Sequence, residues 1–293
     1  MKKKILVTLC TMLVLSLLVA CGNKTETSNQ SNSTPTDSVS ENVSSEINTN
    51  TDVDEYGNNI KDQPYIPENS DFIYSNEDMK EIIGLTDQGL NSMDIVFPEY
   101  VEKISNVSFS GSTTIKTLYF MNEEVELNNV NFSCPSLETV TNLPIKMDTI
   151  YPNMFYGCSK LRTIGNTENV ITLPENIKFI GEGAFSGCVR ITDIDLSHIV
   201  AIDERAFECC SSLINIIWSN NLESIRDAAF VSCGIEVLTL PESVMTIEAN
   251  AFTNNKNLTT VDIPGSTNVD ESAFNDCPNL TGEYSNKTVT NEN

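Results

Sequence analysis

Apolar residues along this chain fall into columns that return every 22 or 23 residues. Phenylalanine marks the period most plainly, at Phe109, Phe132, Phe155, Phe185, Phe207, Phe230, Phe252 and Phe274, with successive steps of 23, 23, 30, 22, 23, 22 and 22 residues. Three residues later comes a small, semi-polar position held by Ser112, Cys158, Cys188, Cys210, Cys233, Asn255 and Cys277, with Cys134 one place early. An aliphatic column follows at Ile115, Leu137, Leu161, Ile191, Leu213, Ile235, Leu258 and Leu280. Another lies at Leu118, Val140, Ile164, Ile194, Ile216, Leu238 and Val261, and a third ends in proline at Leu143-Pro144, Leu173-Pro174, Leu240-Pro241 and Ile263-Pro264. Each coil therefore reads aliphatic-x-x-aliphatic-x-aliphatic, then a turn, then a second apolar pair such as Ile177 and Ile180 or Val244 and Ile247.

The alternation at the end of that pattern is the period of a strand with one face inward and the other toward solvent. Proline behind it removes a backbone donor and stops the ladder, so the chain must turn there. The return through Gly181-Glu182-Gly183-Ala184-Phe185, or Asp227-Ala228-Ala229-Phe230, predicts a helical turn that drives phenylalanine into the core. A single coil cannot hide its own apolar side, whereas stacked coils share one core, at roughly 25 cal/mol per Å² of apolar surface removed from water. The pattern thus predicts a solenoid. The 30-residue step holds an insertion at about 165–172, a candidate to project as a recognition loop, although insertions that are merely tolerated are commoner.

The runs Ile180-Gly181-Glu182-Gly183-Ala184-Phe185-Ser186-Gly187-Cys188 and Leu238-Thr239-Leu240-Pro241-Glu242-Ser243-Val244 resemble bacterial BspA-type leucine-rich repeats. The resemblance covers about 94–282 and is best after Phe155, the coils before Phe132 being degenerate. It implies an α/β repeat fold: a curved, right-handed solenoid with a parallel sheet on the concave side and short helical turns. It also implies display on a cell surface, for adhesion or protein binding.

The ends of the chain carry other patterns. Lys2, Lys3 and Lys4 precede an apolar run over residues 5–19 that closes in Leu18-Val19-Ala20-Cys21. This is the layout of a secretory signal over residues 1–20. Its end resembles the lipobox of bacterial lipoproteins, which implies cleavage before Cys21 and lipid on its thiol. The run falls short of the ~20 apolar residues that span a bilayer, while two or more acyl chains anchor a protein stably. The expected location is extracytoplasmic, lipid-anchored to the bacterial cell membrane through Cys21 only and exposed at the surface. Residues 21–70 are dominated by Ser, Thr, Asn, Asp and Glu and are predicted to form a disordered tether, with a reach of roughly 40 Å. Within it, Asp52-Val53-Asp54-Glu55-Tyr56-Gly57 starts like a calcium loop, but Tyr56 replaces an oxygen ligand and Gln63 stands where a bidentate Glu belongs. Residues 71–93 are predicted as an N-terminal cap, with Asn76 capping a short helix that carries Met79, Ile82 and Ile83 on one face. The solenoid is assigned to 94–282 and a polar tail to 283–293.

Charge narrows the partners. The 293 residues hold 17 Lys and Arg against 41 Asp and Glu, and without the three lysines of the signal 14 basic groups remain, a net charge of about −27. Nucleic acid and anionic membrane surfaces both require positive patches, which leaves an extracellular protein or a glycan as the expected partner.

Of nine cysteines, Cys10 leaves with the signal and Cys21 takes lipid, so seven remain. Neighbouring column cysteines would lie about one strand spacing apart, ~4.8 Å, near the range of a disulfide. Ser112 and Asn255 occupy the same column with no matching change elsewhere, which suits a buried slot of free, inert thiols better than obligatory bonds. No Cys-x-x-Cys exists and His198 is the sole histidine, so no metal or cofactor is expected. His198 is also the only candidate base for a nucleophile, and no phosphate loop or Gly-x-Ser-x-Gly is present.

What remains is binding. The strand register turns Thr117, Tyr119, Asp193, Asp195, Asn215, Ile217, Val237, Thr239, Thr260 and Asp262 outward on the concave face. The candidate ligand contacts are Tyr119, Asp193, Asp195, Asn215, Ile217, Val237, Thr239 and Asp262, with Tyr119, Ile217 and Val237 as apolar anchors among polar groups. Trp218 falls in the third apolar column and is expected in the core. The leading expectation is a non-catalytic adhesion or interaction module. The alternatives are a glycan-active enzyme using Asp193 and Asp195, since two carboxyls ~5 to 9 Å apart suit a glycosidase, and a passive envelope component.

Overall fold

The computed structural model describes residues 64–281 together with Glu283–Tyr284 and Lys287–Thr288. The signal, Cys21, the calcium-loop-like stretch and most of the tether lie outside the described residues. The repeats form a parallel-sheet β-solenoid of about eight turns.

The first side of each turn is the aliphatic-x-x-aliphatic-x-aliphatic strand. β3 (Asp94–Phe97), β5 (Thr117–Phe120), β7 (Thr139–Thr141), β9 (Thr163–Ile164), β10 (Val170–Thr172), β12 (Asp193–Asp195) and β14 (Asn215–Ile217) make a seven-stranded parallel sheet. β16 (Val237–Thr239) and β18 (Thr260–Asp262) pair separately beyond it. The second side comes from the second apolar pair: β8 (Thr149–Ile150), β11 (Phe179–Ile180), β13 (Ala201–Ile202), β15 (Ser224–Ile225), β17 (Thr246–Ile247) and β19 (Asn268–Val269) form a six-stranded parallel sheet. At the N-terminal end this side is a four-stranded sheet of β1 (Phe72–Tyr74), β2 (Glu81–Leu85), β4 (Lys103–Ser105) and β6 (Glu126–Asn128), in which β1 alone runs antiparallel to its neighbour. After the last turn, β20 (Glu283–Tyr284) and β21 (Lys287–Thr288) pair antiparallel.

The third side, where the pattern predicts a helical turn, differs from expectation. The only helix among the described residues is α1 (Asp87–Asn91), which precedes the repeats and is N-capped by the Thr86 hydroxyl. Each return is a chain of tight turns instead. The N–H groups of Ala184, Ser186 and Cys188 donate to carbonyls three residues back, those of Gly181, Gly183 and Phe185. Alternating with them, the N–H groups of Gly183, Phe185 and Gly187 donate to the carbonyls of Glu204, Ala206 and Glu208 in the next turn. A helix would fold every amide back on its own turn; this alternation satisfies all of them and stitches neighbouring turns together. The geometry places a left-handed residue two positions before and two after the phenylalanine. Gly183 and Gly187 fill those places at φ +60° and +77°, conformations that cost glycine little, and Arg205 with Cys209, then Ala228 with Ser232, fill them in the next two turns.

The returns do drive phenylalanine inward. From Phe155 to Phe274 the rings stack in one file, with centroids 5.0 to 5.4 Å apart and planes within 13° of parallel. A strand spacing of ~4.8 Å dictates that separation, and it falls in the range favoured by offset stacking. In the degenerate first turns Phe109 and Phe132 meet edge-to-face at 61°, and Phe97 and Phe120 supply extra ring volume.

The semi-polar column runs beside this file. The Sγ of Cys188, Cys210, Cys233 and Cys277 donates to the carbonyls of Phe155, Phe185, Phe207 and Phe252 at 3.1 to 3.3 Å. Asn255 does the same for Phe230 through Nδ2 at 2.8 Å, so the slot selects a small donor rather than sulfur as such. All seven described cysteines are free thiols, and all but Cys209 are buried. Burial pushes the Cys158 thiol up to about 12 and raises those of Cys188, Cys210 and Cys233 well above the ordinary thiol range.

Two other segments differ from expectation. Residues 76–83 do not form a capped helix: the Asn76 Oδ1 accepts the Asp78 N–H in a turn, Met79 sits at φ +56°, and Ile82 and Ile83 belong to β2. Adjacent β-branched residues and an open parallel edge at β4 outweigh a weak helical spacing. The insertion at 165–172 does not project. Gly165, at φ +93°, turns the chain so tightly that Ile171 pairs with Ile164 of the same turn, and β10 becomes an extra rung between β9 and β12. On the second side β8 pairs directly with β11, with no matching extra rung.

Phe207→Ala should lower the free energy of unfolding by about 3–5 kcal/mol, read from a denaturant titration, because its cavity lies between stacked rings on both sides. With a thiol reagent at neutral pH, Cys209 alone among the seven described thiols should react in native buffer, and all seven in denaturant. A folded thiol whose pKa is raised stabilises the fold fully below the unfolded value of ~8.5 and loses that contribution as pH rises above it. The stability of the wild type relative to Cys188→Ser should therefore fall between pH 8 and 10, followed by denaturant midpoints at each pH.

Candidate functional site

The outward positions of the first-side strands form two columns. One runs through Asp94, Thr117, Thr139, Thr163, then Val170, Asp193 and Asn215; the other through Val96, Tyr119 and Thr141, then Thr172, Asp195 and Ile217. Past β14, Val237 pairs with Thr260 and Thr239 with Asp262. All eight candidate contacts thus lie on one face, and no outward strand position on it carries Lys or Arg. They are not all neighbours. Tyr119 is half-buried in β5, five rungs from Ile217 in β14, roughly 24 Å at one strand spacing per rung.

Among the described residues this face is broken once, between β14 and β16, which exchange no strand pairing. The same two turns remain joined on the second side, where β15 pairs with β17, and in the core, where Phe230 stacks on Phe252 at 5.4 Å. The break coincides with a corner that is one residue short. From cysteine to the next aliphatic residue takes three steps at Cys188–Ile191, Cys210–Leu213 and Cys277–Leu280, but two at Cys233–Ile235. Gly234 fills the short corner against the preceding turn, so close that a Cβ there would lie 2.8 Å from the Ser211 carbonyl oxygen. One residue fewer withdraws about 3.3 Å of chain, and β16 does not close on β14.

A cavity of about 240 Å³ opens at the break, lined by Ile214, Asn215, Ile216, Ile217 and Trp218 on one side and Ile235, Val237, Leu238 and Thr239 on the other. Ile217 and Val237 are 59% and 58% exposed and Ile214 43%. Ile216 is only partly covered, although its counterpart Ile194 is buried. Trp218, expected in the core, is partly buried and lines this opening, its ring edge-on to Phe230 at 5.4 Å. The third apolar position is sealed only where the next strand covers it, and here that cover is missing. Ile214 is the exposed lining residue that the repeat pattern misses; the signal for it was the two-step corner at Cys233.

The two aspartates have structural partners. Asp193 accepts a hydrogen bond from the Asn215 Nδ2 at 2.7 Å across the rung, and Asp195 accepts the Ser197 N–H at 2.9 Å in the turn after β12. His198 has a buried Nε2 with no hydrogen-bond partner and is not among the residues around the cavity.

The family model described as BspA type leucine rich repeat region, in six copies, matches residues 88–172 and 165–281. The chain belongs to the BspA-type leucine-rich repeat family. This BspA-type chain is similar to the leucine rich repeat protein TpLRR of T. pallidum, at 23% identity over 75% of this chain and 78% of that one, with a TM-score of 0.42. It is also similar to a leucine-rich repeat protein from Bacteroides ovatus, at 19% identity over 74% and 68%, TM-score 0.44. A leucine rich cell surface protein from Faecalibacterium prausnitzii matches at 19% over 74% and 81%, TM-score 0.39. No curated protein sequence matches the chain.

In a parallel ladder alternate residues turn their N–H and C=O to opposite neighbours. Ile217 accepts from Leu196 on the β12 side, and Leu240 donates to Asp262 on the β18 side, so Ile216 in β14 and Val237 and Thr239 in β16 face the break. Their amides should exchange with deuterium at least about tenfold faster than the amide of Ile194, which faces β14 inside the closed ladder.

Proposed function

We propose that this BspA-type chain is an exported lipoprotein, held at the outer surface of the cell membrane by lipid on Cys21, whose repeat domain binds an extracellular protein or glycan without catalysis. The observation that carries the reading is the cluster of Ile214, Ile217 and Val237 at the break in the first-side sheet. Each is more than 40% exposed, on a face whose other outward positions are mostly Thr, Asp and Asn. Folding gains nothing from large apolar side chains in water, and a contiguous apolar patch rimmed by polar groups marks an interaction site. Thr239 and Asn215 line the patch, while Asp193, Asp195 and Asp262 stand on the flanking rungs. Tyr119 lies too far along the stack to join one small contact, so it serves only a partner that spans several turns.

The layout of lipid-bearing cysteine, polar tether and repeats in series supports the same reading, since the tether's reach of roughly 40 Å would hold the domain clear of the bilayer. The glycan-active alternative gains no support from Asp193 and Asp195, whose carboxylates are held by Asn215 and Ser197.

An array of glycans and extracellular-matrix proteins, probed with the mature chain, tests the proposal. The strongest signals should fall at least about tenfold with Ile217→Asp and change little with Met245→Asp, an exposed position off this face. Signals that survive both Ile217→Asp and Tyr119→Ala would show the wrong face was chosen, and turnover of any arrayed glycan would refute the non-catalytic reading.

A further inference from the structure

We infer that the break between β14 and β16 receives an extended peptide strand of a partner protein, one with apolar residues at alternate positions and Lys or Arg on either side. This rests on the binding reading above and narrows it to one class of partner and one mode of contact.

The backbone provides the first reason. Ile216 on one side and Val237 and Thr239 on the other turn their N–H and C=O groups toward an opening that no strand of the chain fills. Unpaired strand edges are templates for another strand, and most sheet proteins cover or charge them. Here the edges lie inside a face whose rungs are otherwise paired, and the residues beside them are Ile and Val rather than Lys. In strand addition, main-chain hydrogen bonds supply affinity and the side-chain sites between rungs supply choice. Ile214, Ile217 and Val237 form such a site for alternate apolar side chains.

Size and charge choose the occupant. The cavity, about 240 Å³, falls below the ~300–1,000 Å³ typical of pockets that enclose a small molecule, and it is lined by successive residues of both facing strands, Asn215 to Ile217 and Val237 to Thr239. On the flanking rungs stand Asp193, Asp195 and Asp262, and the outward positions hold no cation. The chain's own leader is a poor occupant: residues 22–63 carry eight Asp and Glu against two Lys. A second copy is disfavoured for the same reason, the whole chain having net charge −24. A basic extended segment of another protein satisfies the edge, the apolar site and the charge together.

A displayed library of random seven-residue peptides, selected on the mature chain, tests this. Binders should be enriched in Lys or Arg at their ends and in Val, Ile, Leu or Tyr at alternate central positions. A synthetic peptide from the selection should lose at least about tenfold in affinity with Ile217→Asp or Val237→Asp, and as much when alternate backbone amides of the peptide are N-methylated. It should be unaffected by Met245→Asp, an equally exposed site on the second side. Bound peptide should also slow exchange at the amides of Ile216, Val237 and Thr239. Ile217 and Val237 are more than half exposed, so both substitutions should leave the circular dichroism unchanged. An empty selection, acidic binders, or equal binding of the N-methylated peptide would overturn strand addition. If that occurs while array signals still depend on Ile217, only the mode of contact fails; if the array signals ignore Ile217 as well, the binding face itself is refuted.

Discussion

Each turn of this protein buries its apolar side only because another turn lies against it, at one strand spacing. That constraint explains the stacked rings, since phenylalanines brought to 5.0–5.4 Å by parallel ladders must offset and align. It also explains why the returns are not helical. A helix consumes its own amides, whereas the alternating turns around Phe185 and Phe207 give half of theirs to the neighbour. The third side is thereby hydrogen-bonded across turns as the two sheets are.

The cysteine column follows from the same spacing. The carbonyls of Phe155, Phe185 and Phe207 each take the N–H three residues on, and a thiol from the next turn reaches them as well. A thiol fits that gap and stays protonated in it, so the file is a structural feature and chemically quiet; the amide of Asn255 is a variation on that requirement, whereas the buried Ser112 hydroxyl accepts the N–H groups of Thr114 and Ile115 within its own turn. The thiol that escapes this role, Cys209, is also the exposed one.

Local changes in length act on single sides of the stack. Near Gly165 a few added residues close on themselves as β10 and give the first side one more rung than the second. Near Gly234 one missing residue opens the same face between β14 and β16, while the phenylalanine file and second-side sheet pass through undisturbed. A scaffold whose three sides respond separately can acquire an exposed apolar opening at little cost to its core, a useful property for a binding face.

The solenoid, the buried phenylalanine file, the free thiols and the outward direction of Tyr119, Asp193, Asp195, Asn215, Ile217, Val237, Thr239 and Asp262 were all legible in the sequence. A repeated side-chain pattern reports which face each residue takes, because strand alternation is a local rule. The strand at Ile82, the extra rung at Ile171, the half-open Trp218 and the apolar opening were not. Each depends on whether a neighbouring turn supplies an edge or withholds one. Sequence by itself determined what every turn needs from its neighbour; tertiary structure alone decided where that need goes unmet, because a one-residue change in a corner moves a strand relative to a partner some 22 residues away.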